Sequence, residues 1–222
     1  MPELAAADFL PAQLPQALGK SEIHLWFFPH WQGSAHAVAE SPQLRALLAG
    51  YLACAAGDLR ITRDEHGKPH LINAPLQFNL SHSSGRLLVG VSREQPLGVD
   101  LETPRRERPV LELARRWFDP VEAATLASLP EVQRQAAFLE LWSCKEAVLK
   151  ALGRGIGFGL DRVVFDSTAA ADAPRVQRLD GDRIPSAWHI VRLRPAASCI
   201  GALAWRGPEY RICAWVTSPP AG

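Results

Sequence analysis

The chain has 222 residues, 47% of them hydrophobic and 21% charged, and a formal net charge of +1; this suits a sizeable core in one large or two small domains and lacks the basic excess of a general nucleic-acid binder. Met1 to Lys20 has no basic segment followed by an apolar one, and no apolar run approaches the roughly 18–20 residues of a membrane helix, so a cytoplasmic protein without signal peptide or membrane span is expected. Cys54, Cys144, Cys199 and Cys213 form no Cys-x-x-Cys pair and no zinc spacing, and their mostly apolar neighbours predict buried thiols of a reducing compartment.

In chain order, residues 23–28 form an apolar run that predicts a strand. Ser41-Pro42 opens a helix with a capping hydroxyl and proline at the first helical position; its apolar positions run through Leu44, Leu47, Leu48, Tyr51 and Leu52, and Gly57-Asp58 is expected to end it. Residues 76–80 read as a strand entering the polar turn Ser81-His82-Ser83-Ser84-Gly85. Residues 87–92 and 97–102 read as two strands around Arg93-Glu94-Gln95-Pro96, and so as a hairpin. The charged, proline-bounded stretch 103–109 predicts a connection between an N-terminal half, 1–103, and a C-terminal half, 104–222.

Residues 110–118 are helical in pattern, and Asp119-Pro120-Val121-Glu122 has the form of a capping box. Residues 131–152 support a long helix with Gly153 as its C-terminal cap. An Ala-rich loop at 169–173 precedes three strands at 188–193, 200–205 and 212–216. The order of elements predicts an α+β protein of two halves, each a small sheet with a long helix.

Two charged clusters stand against apolar neighbours. In Gly98-Val99-Asp100-Leu101-Glu102, strand alternation projects Asp100 and Glu102 to one face and Val99 and Leu101 to a core. In Trp142-Ser143-Cys144-Lys145-Glu146-Ala147-Val148-Leu149-Lys150, Glu146 and Lys150 lie one helical turn apart. Three carboxylates beside an ammonium suit a divalent cation that holds a polyphosphate, since magnesium takes a few carboxylates and completes its shell with water and phosphate oxygens. Each feature also has a plainer reading: a solvated edge-strand face for Asp100 and Glu102, a surface ion pair for Glu146 and Lys150, a turn lysine for Lys68, a buried turn histidine for His82. The glycines from Gly153 to Gly159 follow a helix rather than open one, which sets aside a dinucleotide loop. His66 and His70 have helical spacing, but Gly67 and Pro69 between them argue against a helical metal pair.

Taken together, Gly67-Lys68-Pro69, Phe78-Asn79-Leu80-Ser81-His82-Ser83, Gly98-Val99-Asp100-Leu101-Glu102 and Trp142-x-x-Lys145-Glu146-Ala147-x-x-Lys150-Ala151-x-Gly153-x-Gly155 occur in the order and spacing of the 4′-phosphopantetheinyl transferases. The chain resembles their larger, surfactin-synthetase-activating branch over roughly residues 45–160; Arg115-Arg116-Trp117-Phe118 and Phe138-Leu139-x-Leu141-Trp142 also fit. The resemblance implies two α+β halves related by a pseudo-two-fold, coenzyme A in the cleft between them, and a monomer.

By that resemblance Asp100, Glu102 and Glu146 are magnesium ligands. Arg45, Gly67, Lys68, Ser81, His82 and Lys150 match positions that hold the nucleotide and its phosphates, with His66 near the adenine. The implied reaction moves 4′-phosphopantetheine to a serine of an apo acyl or peptidyl carrier protein of fatty-acid, polyketide or nonribosomal-peptide synthesis, releasing 3′,5′-ADP. Glu146, Lys150 and His82 are its expected catalytic residues, with Glu146 taking the serine proton. The alternative, a coenzyme-A-binding protein without transferase activity, would be favoured by loss of Lys150 or of a metal carboxylate, and all four are present. One departure stands out: residues 28–44 contain no Lys or Arg. Contact to the 3′-phosphate is then either weaker or rests on Arg45, Lys68 and His82. Arg105, Arg106, Arg108, Arg115 and Arg116 suit either a solvated connector or steering of an acidic carrier.

Overall fold

Whether a strand is apolar on one face or both decides where it sits in this protein. In the computed structural model, which describes residues 3–218 apart from 14, 32, 34, 105–107, 167–173 and 182–186, β3 (Glu22–Phe28) is buried on both faces. Ile23, Leu25 and Phe27 point one way, while Trp26 and Phe28 point the other into a separate cluster. A strand covered on both sides reads as a continuous apolar run, as it does here.

β3 lies within a five-stranded sheet ordered β2 (Phe9–Pro11), β13 (Arg211–Val216), β3, β7 (Arg86–Ser92), β6 (Gln77–Ser83). A four-stranded sheet is ordered β1 (Glu3–Leu4), β11 (Trp188–Leu193), β12 (Ile200–Arg206), β8 (Leu97–Glu102). Two short ladders pair β4 (Ile61–Arg63) with β5 (Pro69–Leu71) and β9 (Val163–Phe165) with β10 (Val176–Leu179). The inner faces of the two large sheets share one cluster, in which Ile23, Leu25, Phe27 and Leu88 meet Val99, Leu101, Val191, Leu193 and Leu203. Helix α1 (Pro42–Leu52) covers the outer face of the first sheet through Leu44, Leu47 and Leu48. Helix α4 (Glu131–Ala151) covers the second, with α2 (Val110–Trp117) and α3 (Pro120–Ser128) packed beside it.

The expected mixed α+β architecture with two sheets is therefore present. The chain ends cross between sheets: β13, near the C-terminus, lies between β2 and β3 in the first sheet, and β1 pairs with β11 in the second. The expected hairpin of residues 87–92 with 97–102 is not formed. β7 pairs with β3 and β6, whereas β8 leaves for the other sheet and pairs with β12. The true hairpin is β6–β7, closed at Ser84-Gly85, both with positive φ (51° and 72°), the combination whose twist matches a two-residue hairpin. The turn chemistry of Ser84-Gly85 outweighs that of Gln95-Pro96, where proline only redirects the chain.

Helix ends follow local chemistry. Ser41 caps α1, which stops at left-handed Ala53 (φ 51°), short of Gly57-Asp58. Asp119 and Glu122 form the reciprocal capping box of α3. At the C-terminus of α4, Arg154 N–H donates to Leu149 O (2.9 Å) and Gly153 N–H to Lys150 O (3.2 Å), with Gly153 at φ 70°. These are the two bonds of a Schellman motif. The aromatic residues at 118, 138 and 142 pack on one another, the Phe118 and Phe138 rings stacked at 5.1 Å. Of the cysteines, Cys144 and Cys199 are buried as expected; Cys54 is exposed just past the α1 turn, and Cys213 is half-buried. No helix among the described residues is long and apolar enough to cross a membrane. The expected loop at 169–173 lies outside the described residues, as do Arg105 and Arg106.

Candidate active site

Strand alternation builds the floor of the site. On β8, Leu97, Val99 and Leu101 enter the core between the sheets, so Gly98, Asp100 and Glu102 face α4. Helix α4 lies close: a Cβ on Gly98 would come within 2.0 Å of Ala147 O and 2.5 Å of Ala151 N. Ala202 and Ala204 of β12, also fully buried under the helix, are small for the same reason. The close approach brings Lys150 of α4 onto Asp100 and sets Glu146, one turn earlier, where it feels the charge of Asp100.

A second wall comes from β6, whose polar residues alternate. Asn79 Oδ1 accepts Val99 N–H (2.8 Å), Ser81 Oγ donates to Asp100 Oδ1 (3.0 Å), and Ser83 Oγ accepts Thr103 N–H (3.1 Å). Side chains thus tie the edge of one sheet to the edge of the other. Lys150 Nζ completes the cluster, donating to Asp100 Oδ1 (2.7 Å) and Ser81 Oγ (3.1 Å). Asp100 is only 4% exposed, which overturns its reading as a solvated edge-strand acid. Its Oδ2 is buried and has no hydrogen-bond partner among the described residues. Glu146 is 7% exposed, and burial pushes its carboxyl up to about 7; Lys150 opposes the rise, while Asp100 and Glu102 add to it. Glu102 is partly exposed and pairs with Arg108 at 3.7 Å.

Ser81, Glu146 and Lys150 open into a cleft of about 480 Å³, also lined by Val38 and Ala39, by the β4–β5 hairpin and by the loop after α4; Asp100 and Glu102 are not among its lining residues. His66, Gly67, Lys68, Ser81, His82, Glu146 and Lys150, all expected site residues, line it together. The His82 ring lies tilted against Trp31, with centroids 5.2 Å apart, and burial, then the Lys150 charge, lowers its pKa and so favours the neutral imidazole. Lys68 turns inward, donating to Lys150 O (2.5 Å) and Leu97 O (3.5 Å), so it joins the hairpin to the C-terminal end of α4, where the helix dipole favours a cation. Burial lowers its pKa, and Asp64 opposes.

Arg45 does not line this cleft. Its guanidinium donates to Ala56 O (3.1 and 2.8 Å) and Leu59 O (2.8 Å), holding the chain that leaves α1. Arg63 and Arg154 do line it and escaped the sequence reading. The signal for Arg154 was its place between Gly153 and Gly155; Arg63, four residues before Gly67, carried none. Lys145, inside the recognised helix motif, faces away from the cleft and is fully buried on Glu122 (2.6 Å).

Among the described residues no cluster of three or more His, Cys, Asp and Glu side chains is drawn together at metal-ligand spacing. The donor set nevertheless fits a hard divalent cation: all are carboxylate oxygens, Asp100 Oδ2 is buried without a partner, and Glu146 feels both other acids.

The sequence profile of the 4′-phosphopantetheinyl transferase superfamily matches residues 96–212. The chain is 36% identical over 176 residues to the 4′-phosphopantetheinyl transferase HetI of Nostoc sp., covering 78% of this chain and 71% of that protein. It is 36% identical over 133 residues to the 4′-phosphopantetheinyl transferase psf-1 of Bacillus pumilus and 30% identical over 136 residues to the 4′-phosphopantetheinyl transferase Sfp of Bacillus subtilis. These two matches cover 59% and 60% of this chain, and 54% and 59% of the Bacillus proteins.

Proposed function

The chain belongs to the 4′-phosphopantetheinyl transferase superfamily, and from that premise we propose that it transfers the 4′-phosphopantetheine arm of coenzyme A to a serine hydroxyl of an apo carrier protein. The observation that carries this reading is the meeting of Ser81, Glu146 and Lys150, from β6 and α4, at one cleft with His82 and Lys68 on its walls, while Asp100 of β8 holds Ser81 and Lys150 from behind.

Phosphoryl transfer asks a protein mainly for positioning and charge neutralisation. The serine oxygen forms a bond to the phosphorus that carries the pantetheine arm, the bond from that phosphorus to the bridging oxygen breaks, and 3′,5′-ADP leaves with the electron pair. Lys150, a compact point charge, neutralises the departing phosphate. His82 and Ser81 supply neutral contacts to the pyrophosphate. Glu146, the carboxylate that lines the cleft, takes the serine proton. Asp100, Glu102 and Glu146 are the groups that would hold Mg²⁺, which when bound supplies positive charge to the pyrophosphate oxygens.

The test is direct. Incubation with coenzyme A, Mg²⁺ and a panel of apo acyl and peptidyl carriers is expected to add one phosphopantetheine to a carrier, read by mass, with equimolar release of 3′,5′-ADP, and a chelator is expected to abolish it. Tight binding of coenzyme A with no carrier modified would instead favour a binding protein.

Carrier docking is assigned to the groove beyond Glu102. It measures about 750 Å³ and combines Arg108, Arg115 and Arg134, against Glu112 and Glu131, with Val110, Leu111 and Val132, the last 90% exposed. Rim charges act on encounter rate and are screened within about 8 Å at physiological ionic strength. Arg108→Gln with Arg115→Gln is expected to lower kcat/KM toward carrier by about tenfold at low salt, to flatten its salt dependence, and to leave the KM for coenzyme A unchanged. Wild-type efficiency and salt response would return these arginines to a solvated connector.

A further inference from the structure

Ser81, Lys68 and Lys150 each reach the cleft with hydrogen bonds that fix where they point. His82 does not. Its side chain is half-buried, and among the described residues no hydrogen bond holds either ring nitrogen. What touches the imidazole is the Trp31 indole, tilted by 35° with the ring centroids 5.2 Å apart. An imidazole turns in a broad two-fold well about its outer torsion, so an unbonded ring takes its orientation from what packs on it.

Trp31 is itself fastened through both backbone and side chain. It is 5% exposed and packs in the outer cluster with Phe28, Val38 and Leu44. Its backbone N–H donates to Gly85 O (2.9 Å), in the turn of the β6–β7 hairpin that carries His82. Its Nε1–H donates to Ser41 Oγ (3.1 Å). A Cβ on Gly33 would run into the edge of the indole, so the chain folds tightly over it. Ser41 is anchored in turn: its Oγ accepts Leu44 N–H (3.5 Å) as the cap of α1, and its N–H donates to Val38 O (3.0 Å). One run of contacts therefore joins Val38, which lines the cleft, through Ser41 and Trp31 to His82. Residues 28–44 have no Lys or Arg to offer the cleft; they offer support for a histidine on β6.

We propose that Trp31 is a positioning residue for His82, its ring fixing the plane in which the imidazole presents a nitrogen to the pyrophosphate of coenzyme A. This rests on the transferase reading, in which His82 meets that pyrophosphate. Trp31 is not among the residues lining the cleft, so it acts on the donor only through the histidine. An imidazole already wedged against an indole loses little freedom on binding, whereas a loose one must be ordered at that step. Removing the indole should therefore weaken coenzyme A and leave the carrier untouched.

The experiment is a double-mutant cycle on the Kd of coenzyme A, measured by calorimetry beside turnover with an apo carrier. Trp31→Leu is expected to weaken coenzyme A about fivefold. Trp31→Phe, which keeps an aromatic face on His82, should weaken it by no more than about twofold. In the His82→Ala background, Trp31→Leu should change the Kd by less than about twofold, because the two side chains act as a unit. The KM for the carrier should not move. A merely structural tryptophan would lower Tm while the folded protein kept its affinity, or would cost the same with His82 present and absent. Either result overturns the proposal, as does unchanged affinity in His82→Ala. If Trp31→Leu does not fold, Ser41→Gly takes its place in the cycle, since glycine is tolerated as a helix cap and the lost hydroxyl releases the indole N–H. It is expected to weaken coenzyme A about twofold or more only where His82 is present, and a loss that persists without His82 overturns the proposal. If wild-type protein bound coenzyme A and modified no carrier, the transferase reading would fail, while the cycle would still decide whether Trp31 works through His82.

Discussion

Asp100→Asn is expected to lower turnover by about 10²–10³-fold, the scale of losing one preorganised charged or hydrogen-bonding group in a water-excluded site, while the variant stays folded. Asp100 Oδ1 accepts from both Lys150 Nζ and Ser81 Oγ, so the carboxylate fixes the helix cation and the strand hydroxyl relative to each other. Asparagine keeps the shape and one acceptor but removes the charge that holds Lys150. Asp100→Ala is the poorer probe, because at 4% exposure it also leaves a void and a half-buried ammonium without its carboxylate. Lys150→Met should fall as far as Asp100→Asn, and the double variant little further, since groups that act as a unit lose their effect together. The measurement is steady-state turnover beside thermal melting. Near-normal turnover in Asp100→Asn would remove Asp100 from the machinery, and multiplicative losses would show that Lys150 works independently of it.

What could be read in the sequence was whatever a single element determines. Alternation along 97–102 predicted which residues of β8 enter the core, and the spacing of Glu146 and Lys150 put them on one helix face. The strands at 188–193, 200–205 and 212–216 and the long helix ending at Gly153 also carried their own signals. Pairing between elements did not. β8 looks like the partner of β7 because the two are adjacent in sequence, yet its hydrogen bonds go to β12, a hundred residues on, and only side chains such as Asn79 join it to β6.

Burial was left open for the same reason. An acid alternating on a strand is solvated unless something covers that face, and here the cover is α4, admitted by Gly98, Ala202 and Ala204. Arginine was the hardest residue to place. Its long side chain reaches backbone carbonyls as readily as ligands, so Arg45 ends on Ala56 and Leu59, while the unremarked Arg63 and Arg154 reach the cleft.

Lys145→Met is expected to be the most destabilising of these changes, by about 3–5 kcal/mol, because removing one partner of a buried ion pair strands the other. In a chain of this size that corresponds to a drop in Tm of roughly 10 °C. Lys145 is fully buried and Glu122 is 2% exposed, with Nζ and Oε2 at 2.6 Å. The ammonium also donates to Leu160 O (3.0 Å) and Val163 O, which uses all three of its protons, and it lies 5.0 Å over the Phe118 ring. Glu122 in turn accepts Phe165 N–H (2.9 Å) and Asp119 N–H (3.2 Å). The pair therefore fastens α4 to the start of α3 and to the segment leading into β9, and it does so one residue before Glu146. Burial pulls the Lys145 pKa down, and the Glu122 charge opposes that fall, so removing the carboxylate strands a cation just as removing the lysine strands an anion. Glu122→Gln should recover part of the loss when combined with Lys145→Met, giving a coupling of about 2 kcal/mol or more in a double-mutant cycle. Chemical denaturation of the four proteins measures it. Additive losses would show that α4 is held by its apolar contacts alone, and that this lysine is only a buried passenger beside the face of α4 that lines the cleft.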